Sequence, residues 1–405
     1  MKMEKNMLGS YGPWAAALQG EAPGTLSFRN PQWSDLDGWK SKARDTLAQL
    51  LHFPAEVHAT DVQTHERFAH GGLEIEEISW QLPYGPRTGA YFLKPEGARG
   101  RLPGILALHD HGGIKYFGKR KIVRTGSQIH PLLEEHQKAY YGGVGWANEI
   151  ARRGFAVLVH DVFPFETRKI LASDLPPHVV ERMMSPPEEI RELTPGDLMR
   201  RAGDERYEVP AGEPRDRIAA YNAFAGQHES IIAKSLFCAG ITWPGIMVAE
   251  DRAALDYLAA RPDVDPRRIG CGGLSGGGLR TVYLAGLDDR IRCAVCAGFM
   301  STWRDFLLST SYTHTWMIYA PGLAGLMDFP EILGMRVPLP TLVLATTEDP
   351  LFSFPETERA CRILQETYRK AGAPERFRLS ASPGPHTFDL PMQAEAFAWM
   401  GRWLG

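Results

Sequence analysis

The sequence predicts an α/β protein: a mostly parallel central sheet with helices on both faces. Short apolar runs of the fully buried kind recur at 103–109, 155–160, 291–297 and 341–346. Segments with helical spacing alternate with them, at 146–153, 247–260, 279–287 and 356–371. At one strand-to-helix junction the chain reads Gly270-Cys271-Gly272-Gly273-Leu274-Ser275-Gly276-Gly277-Gly278, glycines crowded around a single serine.

Taken from the N-terminus, residues 1–60 show no strand pattern. Leu36, Trp39, Ala43, Leu47 and Leu50 recur at helical spacing behind Asp35 and Asp37, which predicts a helix over 35–52 within an N-terminal helical extension. The main domain is expected over 61–405. From Gly72 the alternation of 73–80, followed by 87–93 across Pro83-Tyr84-Gly85-Pro86, predicts an antiparallel pair that opens the sheet. Two insertions interrupt the later strand–helix rhythm. Residues 164–232 are polar and proline-rich (Pro176-Pro177, Pro186-Pro187, Pro195, Pro210, Pro214), and 299–338 carry Trp303, Phe306, Tyr312, Trp316, Met317, Tyr319 and Met327. Both are placed where a cap or lid over the strand ends would sit. Val264-Asp265-Pro266 reads as a turn before the glycine-rich strand, 376–379 as the last strand and 392–403 as the closing helix.

Bulk properties narrow the function. The 405 residues are 44% hydrophobic and 23% charged with a net charge of −3, which gives no global reason to expect nucleic acid or a membrane surface as partner. No apolar run approaches the ~20 residues that span a bilayer, and residues 1–14 lack a signal-peptide apolar core. Five cysteines, mostly in apolar strand-like contexts, read as reduced core residues, with Cys293 and Cys296 on opposite faces of their strand. The expected compartment is the cytoplasm. No cofactor is implied, and a homo-oligomer is left open.

The chemistry centres on Gly273-x-Ser275-x-Gly277. A serine on so tight a turn is held out over the sheet edge, and the N–H of Gly276 sits at a helix N-terminus where an oxyanion can be held. A serine hydroxyl needs a base, and the base needs an orienting carboxylate. Asp349 follows a strand, 74 residues after Ser275, and His386 lies in a Pro/Gly loop 37 residues further on. Glu348 is the rival carboxylate. The segment His109-Asp110-His111-Gly112-Gly113 can supply a second oxyanion donor, from the N–H of His111 or Gly112. Its His-x-His spacing is also that of metal ligands, but Gly112-Gly113 follow where a metal-dependent hydrolase would place further ligands. Lys115, Lys119, Arg120, Lys121 and Arg124 form a basic cluster just downstream, to be read as a solvated face or as a site for an anionic ester.

These motifs together resemble the α/β-hydrolase superfamily, more narrowly its dienelactone-hydrolase-like and acetyl-xylan-esterase-like branch. The similarity is carried by Leu108 to Gly113, Asp256-Tyr257-Leu258, Asp265 to Gly278, Asp349-Pro350-Leu351-Phe352 and Pro385-His386, and extends over about residues 70–405. It implies Ser275 as nucleophile, His386 as base and Asp349 as its orienting acid, acting on a small or medium ester such as an acetylated sugar. Dienelactone hydrolases proper use a cysteine where Ser275 stands. Glucuronoyl esterases place an arginine after the nucleophile, where this chain has Gly276. A serine peptidase or amidase of the same fold is the alternative within enzymes, and a non-catalytic binding protein the alternative outside them.

Overall fold

The computed structural model describes residues 5–54, 56–184 and 213–405. Its strands are β1 (Thr60–His70), β2 (Leu73–Gln81), β3 (Thr88–Pro95), β4 (Leu102–Ala107), β5 (Ala156–His160), β6 (Val264–Leu274), β7 (Ile291–Ala297), β8 (Thr341–Thr346) and β9 (Phe377–Ser382). They form one sheet in the order β1-β2-β3-β5-β4-β6-β7-β8-β9. The pairs β1–β2, β2–β3 and β3–β5 are antiparallel, and every pair from β5 to β9 is parallel. The expected mostly parallel sheet with an antiparallel start is therefore present, as in the α/β-hydrolase fold.

The buried parallel strands divide their side chains between two apolar layers, as two-sided burial requires. On one face Leu106, Ile269, Cys271 and Cys296 pack against helices Leu36–Leu51, Trp243–Ala260, Gly276–Leu287 and Phe354–Lys370. On the other, Ile105, Val157, Cys293 and Leu342 pack against Trp146–Ala151 and Leu390–Leu404. Cys293 and Cys296 thus lie on opposite faces. All five cysteines are free, but Cys238, at the end of helix Arg215–Cys238, is exposed and not in the core. Within the extension the helix Leu36–Leu51, capped by the Asp35 carboxylate accepting from the Asp37 N–H, buries Trp39, Ala43, Leu47 and Leu51.

Three local expectations need correction. Residues 60–70 form the edge strand β1, which has no apolar alternation because its first eight residues are exposed. Val264-Asp265-Pro266 begins β6 and is not a separate turn. Leu102 and Pro103 pair with Val264 and Asp265, then Gly104 pairs with Ile269, so residues 266–268 bulge out between two paired stretches. Residues 131–140 form a helix (Pro131–Tyr140) that the strand–helix rhythm did not announce. In the first insertion, Pro177–Met184 and the 24-residue helix Arg215–Cys238 are described. Pro186-Pro187, Pro195 and Pro210 lie outside the described residues. No single described helix is long and apolar enough to cross a membrane.

Candidate active site

The chain order along the sheet reverses at β4. From there one connection leads to β5 on one side and a later one to β6 on the other, so a crevice opens at the carboxyl ends of β4 and β6. The segment after β4 is Leu108 to Gly113, and the residue after β6 is Ser275.

Ser275 has φ 57° and ψ −118°, a conformation that L-residues rarely adopt and that persists only where packing dictates it. Two glycines permit it. A Cβ on either Gly273 or Gly277 would overlap the carbonyl oxygen of Leu108, so the elbow lies directly on the backbone that leaves β4. Gly276 opens helix Gly276–Leu287, where its N–H has no intrahelical acceptor. A Cβ built on Gly276 would stand 2.6 Å from the His111 backbone nitrogen. The elbow and the segment after β4 thus bring the N–H groups of Gly276 and His111 to one place.

His386 lies between β9 and the closing helix, and its Nδ1 is 2.6 Å from Asp349 Oδ2. The other carboxylate oxygen of Asp349 accepts the N–H groups of Leu351 (2.8 Å) and Phe352 (3.3 Å), which fixes the carboxylate toward the imidazole. The rival Glu348 is exposed to solvent. With Nδ1 donating to Asp349, Nε2 of His386 is the acceptor; it is buried and has no hydrogen-bond partner among the described residues. Ser275, Gly276, His386, His111 and Gly112 line one cavity of about 420 Å³. Leu274, Phe299, Leu351 and Phe352 give it an apolar wall, and Lys115, Glu229, Thr313 and His314 a polar one. Five of the six residues singled out in the sequence as site residues therefore face the same space, and the sixth, Asp349, holds His386 from behind.

The segment after β4 is braced from three sides. Asp110 is buried and accepts from Tyr141 Oη (2.5 Å) and from His136 Nε2 (3.1 Å). Burial alone would raise its pKa, but the charges of His136 and Lys121 outweigh this and hold the carboxyl well below its ordinary value. Gly112 has φ 55°, and a side chain on it would run into that carboxylate and the His136 ring. His111 Nδ1 accepts the Gly113 N–H (3.1 Å), so Nε2 carries the proton that it donates to Glu229 Oε1, 2.8 Å away. Lys115 Nζ reaches the same Glu229 oxygen at 2.5 Å. For Glu229, burial would raise the pKa, but the His111 hydrogen bond and the Lys115 charge bring it down to about 2. Burial pushes both His111 and Lys115 down, so His111 is the neutral member of the group.

The basic cluster is not a solvated face. Lys115, Lys119 and Lys121 are buried. Lys119 Nζ sits between Asp161 Oδ2 (2.9 Å) and Glu166 Oε1 (2.8 Å), Arg120 Nε donates to Glu166 (2.7 Å), and Arg124 Nε to Gln137 (2.7 Å). The charges were visible in the sequence; their partners, 13 to 114 residues away, were not. The His-x-His spacing of His109 and His111 does not make a ligand pair: the His109 ring packs edge-on to Phe165 at 5.0 Å, while His111 is engaged by Glu229. Among the described residues no group of three or more His, Cys, Asp or Glu is arranged to hold a metal ion.

Sequence reasoning passed over Glu229 and His314. Glu229 lies in the first insertion, where nothing in the local pattern marks it. His314 is in the second; burial lowers its pKa to about 4, so it lines the cavity as a neutral ring, tilted by 35° to the Phe352 ring with centroids 4.7 Å apart.

Comparison with known proteins gives the same placement. The prolyl oligopeptidase family (Peptidase_S9) matches residues 242–386, the stretch from the helix before β6 to His386. A Bacillus subtilis (strain 168) protein provisionally named as a hydrolase, YtaP, is 25% identical over 368 residues, which is 90% of this chain and all of that one. A Bacteroides fragilis NCTC 9343 structure provisionally named as an acetyl xylan esterase superimposes with a TM-score of 0.64 at 16% identity, covering 93% of this chain and 83% of that one. A glucuronoyl esterase from Solibacter usitatus does so with a TM-score of 0.56 at 13% identity, covering 95% and 98%. With its sheet order, its elbow after β6 and its histidine after β9, the chain has the α/β-hydrolase fold.

Proposed function

We propose that this chain is a serine carboxylesterase acting on a small or medium ester. The observation that carries the reading is His386, clasped through Nδ1 by Asp349, with a buried Nε2 free of hydrogen bonds to the described residues, lining the same cavity as Ser275 on its strained elbow. In this reading His386 takes the proton of Ser275 as the hydroxyl oxygen attacks the ester carbonyl. The N–H groups of Gly276 and His111, with Gly112 beside them, hold the oxyanion. The tetrahedral intermediate collapses, the alcohol leaves with the proton from His386, and the acyl group stays on Ser275. Water, deprotonated by the same imidazole, then releases the acid.

A cavity of about 420 Å³ with an apolar wall beside a polar one suits a short acyl group joined to a polar alcohol, such as an acetylated sugar. Gly276 speaks against a glucuronoyl ester, since the arginine expected after the nucleophile is absent. A peptidase of the same fold is favoured by one observation, the prolyl oligopeptidase match over 242–386. Hydrolysis of p-nitrophenyl acetate, butyrate and octanoate by wild type and Ser275→Ala tests the esterase. A prolyl p-nitroanilide peptide run in parallel tests the peptidase. Turnover of the esters that disappears in Ser275→Ala is the expected result. Ester turnover that survives in Ser275→Ala refutes it, and faster turnover of the anilide replaces it with the second reading.

A further inference from the structure

The oxyanion segment has a buried ammonium set back from the cavity. Lys121 is fully buried, and its Nζ lies 2.8 Å from the Asp110 carbonyl oxygen and 2.8 Å from the His111 carbonyl oxygen. The Asp110 carboxylate is further off, at 3.6 Å, beyond hydrogen-bond range. A lysine placed only to neutralise that carboxylate would approach it more closely than the carbonyls. Asp110 in any case has His136 and Tyr141 as its own donors.

What the two carbonyls have in common is the peptide each belongs to. In a trans peptide the C=O and the following N–H point in opposite directions. The Asp110 carbonyl shares its plane with the His111 N–H, and the His111 carbonyl shares its plane with the Gly112 N–H. One ammonium that pins both carbonyls therefore turns both N–H groups the other way. That is where the His111 nitrogen meets the start of the elbow helix at Gly276.

We propose that Lys121 is the positioning residue of the oxyanion hole: by binding the Asp110 and His111 carbonyls it aims and polarises the His111 and Gly112 N–H groups at the oxygen that becomes negative during acyl transfer. This rests on the serine-esterase reading above. A positive charge behind two aligned peptide dipoles interacts weakly with a neutral ester carbonyl and strongly with an oxyanion in a dry site. Its effect therefore belongs to the transition state and not to substrate binding.

The test compares wild type, Lys121→Met and Ser275→Ala on p-nitrophenyl butyrate, with an aryl trifluoromethyl ketone as a mimic of the tetrahedral adduct. The Lys121→Met protein should show kcat lower by about 10²-fold to 10³-fold with KM nearly unchanged, and should lose ketone affinity in proportion. A folded Lys121→Met protein with undiminished kcat, or with a loss confined to KM, overturns the inference. Ser275→Ala retaining turnover overturns instead the reading on which it rests.

Wild type supplies a readout that needs no variant. Lys121 is faced by Asp110, Lys115, Glu166, His109, His111 and the Phe165 ring, and burial brings its ammonium down to about 8 against the pull of Asp110. Deprotonation removes the charge and leaves at most a weak donor, so kcat should decline as pH rises through about 8. A kcat that stays level to about pH 9.5 in the still-folded enzyme also overturns the inference.

Discussion

Glu229 and His111 are 118 residues apart in sequence and 2.8 Å apart in space, and Lys115 shares the same carboxylate oxygen. A helix of the first insertion thereby grips the segment whose N–H groups face Ser275. Removing the charge of Glu229 strands a buried ammonium. Glu229→Gln should destabilise the protein by about 3 kcal/mol, and Glu229→Gln combined with Lys115→Met should recover much of that loss. Urea unfolding of the two variants decides it; equal stabilities for Glu229→Gln and wild type would show that the contact does not hold the insertion down.

The same carboxylate sets an acid limit. The pKa of Glu229 is lowered on folding, so its stabilising contribution is complete above its unfolded value of about 4.5 and is lost as pH falls toward about 2. The stability gap between wild type and Glu229→Gln should therefore be constant near neutrality and close as pH drops through that window. Thermal melts of both proteins from about pH 7 to about pH 2.5 measure it. A gap that widens in acid contradicts the sign.

Ser275→Ala and His386→Ala should each lower kcat by about 10⁵-fold or more, and Asp349→Asn by about 10⁴-fold, with the fold intact by circular dichroism. The neighbouring carboxylate serves as the control. Glu348→Gln, at an exposed position, should stay within about twofold of wild type.

Gly277→Ala places a methyl group against the Leu108 carbonyl, where only backbone surrounds it, and should cost at least about 3 kcal/mol together with activity. Gly401, inside the closing helix Leu390–Leu404 with open space where a Cβ would stand, should respond in the opposite sense. Gly401→Ala is expected to stabilise by about 0.5–1 kcal/mol, read as a rise in melting temperature.

Incubation with a chelator followed by desalting should leave ester turnover unchanged, since His109 and His111 are committed to Phe165 and Glu229. Activity that is lost and then restored by a divalent metal ion would return the His-x-His spacing to consideration.

The elements legible in the sequence were those whose signal is local. Strands β4, β5, β7 and β8 announced themselves because burial on both faces leaves apolar residues at nearly every position. The elbow was visible because a backbone-to-backbone approach at Gly273 and Gly277 admits no other residue. Asp349 and His386 could be picked out by their places after β8 and β9. What escaped were relationships between distant segments. The burial of Lys115 and Lys119 escaped because their partners Glu229, Asp161 and Glu166 lie 42 to 114 residues away, and that of Lys121 because its nearest partners are backbone carbonyls, which leave no mark in a sequence. Strand β1 escaped for the converse reason: an edge strand with solvent along most of its length carries no hydrophobic alternation.

That edge strand has a consequence for how copies of this chain can meet. The sheet ends at β1, whose exposed stretch includes Asp61, His65, Glu66 and Arg67. A second β1 laid antiparallel against it would have to desolvate these groups in register with their counterparts, and charged rims of this kind are how sheets avoid growing sideways. Its two register shifts against β2 further spoil a flat template. Continuation of the sheet from one molecule into the next is therefore disfavoured at this margin, which leaves β9 as the sheet's other edge.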